Sequence, residues 1–125
     1  MLLYFVVTFL EAIPYLNLGT RKGMSRITDL QDVPEEIRGD VLRGIAILRR
    51  GGCREVYLFG SVAEGYATPQ SDIDFAVRGC PASRFFQLQG RLLVELGRSA
   101  DLVDLDADPD LAAFLEHEAG LIHVG

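Results

Sequence analysis

Asp72 and Asp74 stand one residue apart in the apolar run SDIDFAV, and Gly60-Ser61 closes the run before it, REVYLFGS. Two carboxylates at that spacing repel each other, so an ordinary strand gains nothing from the pair. In an extended chain residues two apart share a face, so Asp72 and Asp74 point one way while Ile73, Phe75 and Val77 point toward the core. Hard oxygen ligands on one face suit a divalent cation, and Mg²⁺ is commonly held by one or two carboxylates together with substrate phosphates. Gly60 has no side chain to keep backbone N–H groups from a phosphate, and a helical turn begun there aims its positive end at the same anion. The two halves suit one nucleoside triphosphate held between them.

A third carboxylate would complete a two-metal site, in which one ion activates an attacking hydroxyl and the other steadies the leaving pyrophosphate. The run ADLVDLD offers Asp101 and Asp104, three apart and so on opposite faces of a strand. Burying Val103 and Leu105 exposes Asp104, whereas burying Leu102 exposes Asp101. Periodicity leaves both open.

The elements that must position these residues alternate between helix and strand. Pro34 suits a first helical turn, and EEIRGDVLRGIAILRR then places Ile37, Val41, Leu42, Ile45 and Leu48 at helical spacing, with Gly51-Gly52 as the stop. Val56 to Phe59 reads as a buried strand closed by Gly60, SVAEGYA as a brief helical turn, ATPQ as a loop and SDIDFAV as the second strand. RGCP is a turn. SRFFQLQGRLLVELGR reads as a long helix with Phe86, Leu88, Leu92, Leu93 and Leu96 on or near its inner stripe, and ADLVDLD as a third strand. Asp108 and Pro109 begin a final helix, DPDLAAFLEHEAG, and LIHV is a short last strand. This alternation predicts an α/β or α+β sheet with helices packed against one face.

Composition narrows the partners. The chain has 125 residues, 49% of them hydrophobic, which is one domain's worth of core. A formal charge of −6 disfavours the broad basic footprint of nucleic-acid binders, so no extended nucleic acid is expected as substrate. Cys53 and Cys80 have no metal-ligand or CxxC spacing and read as reduced, small buried or turn residues. His117 and His123 have no matching ligand pair and read as surface or packing residues.

The opening MLLYFVVTFLEAIPYLNLG is strongly apolar, but Glu11 interrupts it, Pro14 breaks it and no positive charge precedes it. It is short for a membrane span and lacks the basic region of a signal peptide, so a membrane role is not expected. A polar stretch opens at Met24, so the expectation is an extension at 1–23 and a cytoplasmic domain at 24–125. A membrane-touching anchor and an extra element covering an apolar patch are the rival readings. If LLYFVVTFL is translated, it needs cover from the domain or a second copy, so a homodimer or hetero-oligomer is expected.

LFGSVAEGYATPQSDIDFAV followed by ADLVDL resembles the minimal nucleotidyltransferases of the DNA polymerase β superfamily. Their pattern is Gly-Ser, a spacer, Asp-x-Asp in the next strand, and a later strand with one acid between apolar neighbours. The resemblance runs from about Pro34 to the C-terminus. It implies the polymerase β-like nucleotidyltransferase fold, a small mixed sheet with helices packed mainly on one face. It also implies that Gly60 and Ser61 bind the triphosphate, that Asp72 and Asp74 are ligands of two Mg²⁺ ions, and that Asp101 is the third carboxylate and helps activate the acceptor hydroxyl. Ser71 adds a hydrogen bond. One departure matters: the family often carries Arg directly after Gly-Ser and another basic or polar residue shortly after, where this chain has Val62 and Glu64. A missing cation beside a triphosphate weakens charge neutralisation in the transition state.

Larger members of the superfamily carry an extra helical domain for the acceptor, and these residues leave no room for one. Lone minimal nucleotidyltransferases of prokaryotes are commonly encoded beside a helical HEPN-type toxin and transfer AMP from ATP to a tyrosine of it. The resemblance therefore implies a Mg²⁺-dependent adenylyltransferase that is the antitoxin of a toxin–antitoxin pair. Two other readings stand beside it: a non-catalytic module that masks its partner, and an antibiotic-type nucleotidyltransferase that completes its acceptor site by dimerising. No motif reports the nucleotide base.

Overall fold

The structure, a computed structural model, describes residues 26 to 125, so the expected extension at 1–23 lies outside the described residues. Helix α1 spans Glu35–Arg50, immediately after Pro34. Glu35 and Glu36 in its first turn and Arg49 and Arg50 in its last complement the helix dipole. The chain continues through β1 (Glu55–Phe59), α2 (Gly60–Glu64), β2 (Ile73–Arg78), α3 (Phe85–Glu95), β3 (Ala100–Asp104), α4 (Pro109–Phe114) and β4 (Ile122–His123). The Asp108 carboxylate caps α4 by accepting the Leu111 N–H, with Pro109 in the first turn, as DPDL predicts.

The four strands form one mixed sheet in the order β3-β2-β1-β4. β1 runs antiparallel to both β2 and β4, whereas β2 and β3 are parallel and joined through α3. Strand alternation divides the sheet into two faces. Val56, Leu58, Ile73, Phe75, Val77, Ala100 and Leu102 form one core with Ile37, Val41 and Leu48 of α1 and Leu88 and Leu92 of α3. On the opposite face Phe59, Ala76 and Leu105 meet Leu111, Ala112 and Leu115 from α4 and the turn after it. This second cover is short, and it leaves Asp72 and Asp101 exposed.

The inner stripe of α3 differs from the expected one at two positions. Leu88, Leu92 and Leu96 are buried, but Phe86 and Leu93 are 80% and 62% exposed. Leu93 is one residue past Leu92, a rotation of about 100°, and Phe86 lies two residues before Leu88, so neither shares the face that repeats every four residues. Leu42 of α1 is exposed for the same reason, and Ile47 takes its place in the core.

Gly44 lets α1 approach the sheet. A Cβ there would run into the ring of Phe75. Gly44→Val is therefore expected to destabilise the protein by about 1–3 kcal/mol through overpacking, measurable as a lower urea midpoint. An unchanged midpoint would show that Phe75 can move aside.

Candidate active site

The site begins where β1 ends. Gly60 has φ +72, a conformation that side-chain-bearing residues rarely adopt, and a Cβ on it would collide with the Asp74 carboxylate. Glycine is thus required both by the backbone and by its neighbour. Ser61 follows on α2, half-buried, and its carbonyl accepts the N–H groups of Gly65 and Tyr66 at 3.1 Å each, closing the helix after five residues. Val62 and Ala63 are wholly buried between α2 and the sheet. Val62 therefore faces the core and supplies no cation to the open face.

The Thr68–Ser71 loop then delivers the acids. The Ser71 hydroxyl accepts the Thr68 N–H at 2.8 Å and its own N–H bonds the Thr68 carbonyl at 2.9 Å, so Ser71 closes the turn that leads into Asp72. Asp72 precedes β2, and Asp74 is its second residue. In the ladder Asp74 lies opposite Phe59 on one side and Asp101 on the other. The parallel register is carried past the strand end by the Ile73 N–H on the Ser99 carbonyl at 3.0 Å.

Register separates the two candidate third acids. Asp101 sits beside Asp74, on the same face, whereas Asp104 pairs with Val77 and lies on the other face. The Asp104 carboxylate accepts the Asp106 N–H at 3.0 Å and so shapes the turn after β3. Sequence left this open because both Leu102 and Leu105 are buried: helices cover both faces, but α4 covers only part of one.

The electrostatics of the trio are unfavourable as they stand. Burial, then the charge of Asp101 and a hydrogen bond to its carboxyl, then the charge of Asp72, push the Asp74 carboxyl up to about 8. The neutral form of Asp74 is therefore favoured near neutral pH. Repulsion of this kind is what a divalent cation relieves, and the donors are the hard oxygens that Mg²⁺ prefers. Among the described residues no group of three or more His, Cys, Asp or Glu side chains is placed to hold a metal ion by itself. The carboxylates fit a cation that keeps waters or phosphates in the rest of its shell, as Mg²⁺ does.

One further link was not foreseen from sequence. Arg26 forms an ion pair with Glu64 at 2.7 Å and also donates to the Gly120 carbonyl, tying the end of α2 to the chain before β4. Contacts 38 residues apart leave no periodic trace in the sequence. Cys53 is buried and its thiol is pushed up to about 12, first by burial and then by Cys80, which agrees with the reading of small packing residues. Both cysteines are free thiols. His123 packs against the Tyr57 ring at 5.0 Å, also as expected.

A mixed sheet that sets Gly-Ser against Asp-x-Asp, with an acid on the neighbouring parallel strand, defines a nucleotidyltransferase fold. The family described as Polymerase beta, Nucleotidyltransferase matches residues 45–123, and the chain belongs to it. Among solved structures, a mutant of the toxin–antitoxin MntA-HpeT is 27% identical, with a TM-score of 0.52 over 68% of this chain and 72% of that one. A toxin–antitoxin with AMP-PNP is 26% identical, with a TM-score of 0.52 over 70% of this chain and 72% of that one. No curated protein matches the chain. No helix among the described residues is long and apolar enough to cross a membrane.

Proposed function

We propose that this protein is a Mg²⁺-dependent nucleotidyltransferase that moves AMP from ATP to a tyrosine hydroxyl of a HEPN-type toxin, as the cytoplasmic antitoxin of the pair. The domain would comprise residues 24–125. The observation that carries this reading is the convergence of Asp72, Asp74 and Asp101 on one open sheet face beside the Gly60-Ser61 turn. The similarity to toxin–antitoxin structures, one with AMP-PNP, supports the nucleotide and the class of partner.

In this mechanism Gly60 and Ser61 bind the triphosphate through backbone N–H groups and the Ser61 hydroxyl, and Ser71 holds the loop that presents Asp72. Asp72 and Asp74 would hold Mg²⁺ together with the triphosphate, and Asp101 would complete the set. Held there, Mg²⁺ would supply charge neutralisation for the leaving pyrophosphate and would lower the pKa of the acceptor hydroxyl. Asp101 would take the hydroxyl proton as the oxygen forms its bond to the α-phosphorus and the bond to pyrophosphate breaks.

The test is incubation with Mg²⁺ and each nucleoside triphosphate, with and without the product of the adjacent reading frame, read by intact mass. The expected result is one or more AMP units on that neighbour. A second reading, a masking module without turnover, is favoured by Val62 in the core and by a carboxylate, Glu64, at the end of α2. Tight complex formation with no mass change would establish it instead.

A further inference from the structure

Arg98 and Asp40 lie outside the acidic trio, yet they join the segments that lead into it. The Arg98 guanidinium donates through Nε to Asp40 Oδ2 at 3.1 Å, through Nη2 to the Glu36 carbonyl at 3.2 Å, and through Nη1 to the carbonyls of Pro69 and, at 3.5 Å, Ser71. Asp40 Oδ1 accepts the Gly97 N–H at 3.1 Å. Both side chains are largely sheltered, 15% and 14% exposed, so solvent competes weakly for these bonds. Burial opposes the Asp40 charge, but the Gly97 N–H and the Arg98 guanidinium hold its carboxyl below the usual carboxylate range.

The placement is specific. Pro69 and Ser71 belong to the loop before Asp72, and Gly97 and Arg98 to the turn before Asp101, whereas Glu36 and Asp40 stand on the rigid first half of α1. One guanidinium thus fastens the starts of two carboxylate-bearing strands to the same helix. Its planar fork, with donors in several fixed directions, is what this requires; a lysine ammonium on a flexible stem cannot span Asp40, Glu36 and Pro69 together.

We infer that Arg98 and Asp40 are a positioning pair that sets the spacing of Asp72 and Asp74 against Asp101. The inference rests on the nucleotidyl-transfer reading, since it assigns the acids a shared ion. Groups that orient metal ligands from behind them typically cost 10–100-fold in metal affinity when lost.

The experiment compares wild type, Arg98→Gln, Arg98→Lys and Asp40→Asn as full chains, each checked for folding by circular dichroism. Mn²⁺ affinity is read by electron paramagnetic resonance, and amide hydrogen exchange at Ile73, bonded to Ser99, reports the alignment of the strands. Both Arg98 variants should bind Mn²⁺ about 10–100-fold more weakly and exchange faster at Ile73, with lysine failing to rescue. Asp40→Asn keeps the shape of the pair and should move both readouts the same way, so it decides the matter if the Arg98 variants do not fold. Wild-type affinity in folded variants would overturn the inference, as would rescue by lysine. Wild-type Mn²⁺ binding that is absent, or indifferent to Asp74→Asn, would sink the nucleotidyl-transfer reading instead, and Ile73 exchange alone would then judge the pair.

Discussion

Asp74→Asn should make the metal-free protein more stable than wild type above neutral pH while reducing nucleotidyl transfer by about three orders of magnitude or more. The stability half follows from the raised Asp74 pKa, about 8 in the fold against 3.8 in the open chain. Between those values the folded state holds a proton that the unfolded state has released, so folding takes one up. The contribution of protonated Asp74 is complete below the unfolded value and is lost as pH rises through the folded one, at about 1.4 kcal/mol per pH unit within the window. Asparagine carries no charge at any pH, so it removes the buried ionisation altogether. The stability gap between variant and wild type should therefore widen with pH from about 4 toward about 8 and then level off. Urea titrations of both proteins across this range measure it, and parallel pH profiles would show that Asp74 ionises normally.

Mg²⁺ should reverse the order. A cation bound by Asp72 and Asp74 favours the ionised form, so it should stabilise wild type more at pH 8 than at pH 6 and release a proton on binding. The variant lacks the second carboxylate and should gain little.

Most of the fold was legible because its signals are local. Gly51 after the helical repeat, Asp108-Pro109 at a helix start and the alternating Ile73-Phe75-Val77 each specify their element without help from distant residues. The place of Asp72 and Asp74 at the head of β2 was legible for the same reason. Asp101 against Asp104 was not, because that choice depends on how far α4 extends over the sheet, a tertiary fact with no trace in the strand itself. Phe86 and Leu93 were misplaced because an apolar residue on a helix says only that burial is favourable, not that a neighbour is available. Ser71 reads in sequence as a site residue next to Asp72, and in space its hydroxyl is first committed to Thr68. Likewise the link from Glu64 to Arg26 and the fastening of both acidic strands by Arg98 join segments far apart in the chain.

Gly60→Ala should damage both stability and transfer. Two costs add. The positive φ at Gly60 costs an alanine about 1–2 kcal/mol, and the new Cβ must also displace the Asp74 carboxylate. The sum is expected to lower stability by roughly 2–4 kcal/mol. Because Asp74 is the central acid, between Phe59 and Asp101 in the ladder, turning it aside should also cost about a hundredfold or more in transfer even in the protein that remains folded. The two parts can be separated by a double-mutant cycle in urea with Asp74→Ala, whose small side chain leaves room for the Cβ but does nothing for the backbone. The double mutant should recover about 1–2 kcal/mol relative to additivity and keep the rest of the loss. Strict additivity would mean that Gly60 is required by its backbone alone. Recovery of the whole loss would mean that its contact with Asp74 is the entire reason a glycine stands at the end of β1.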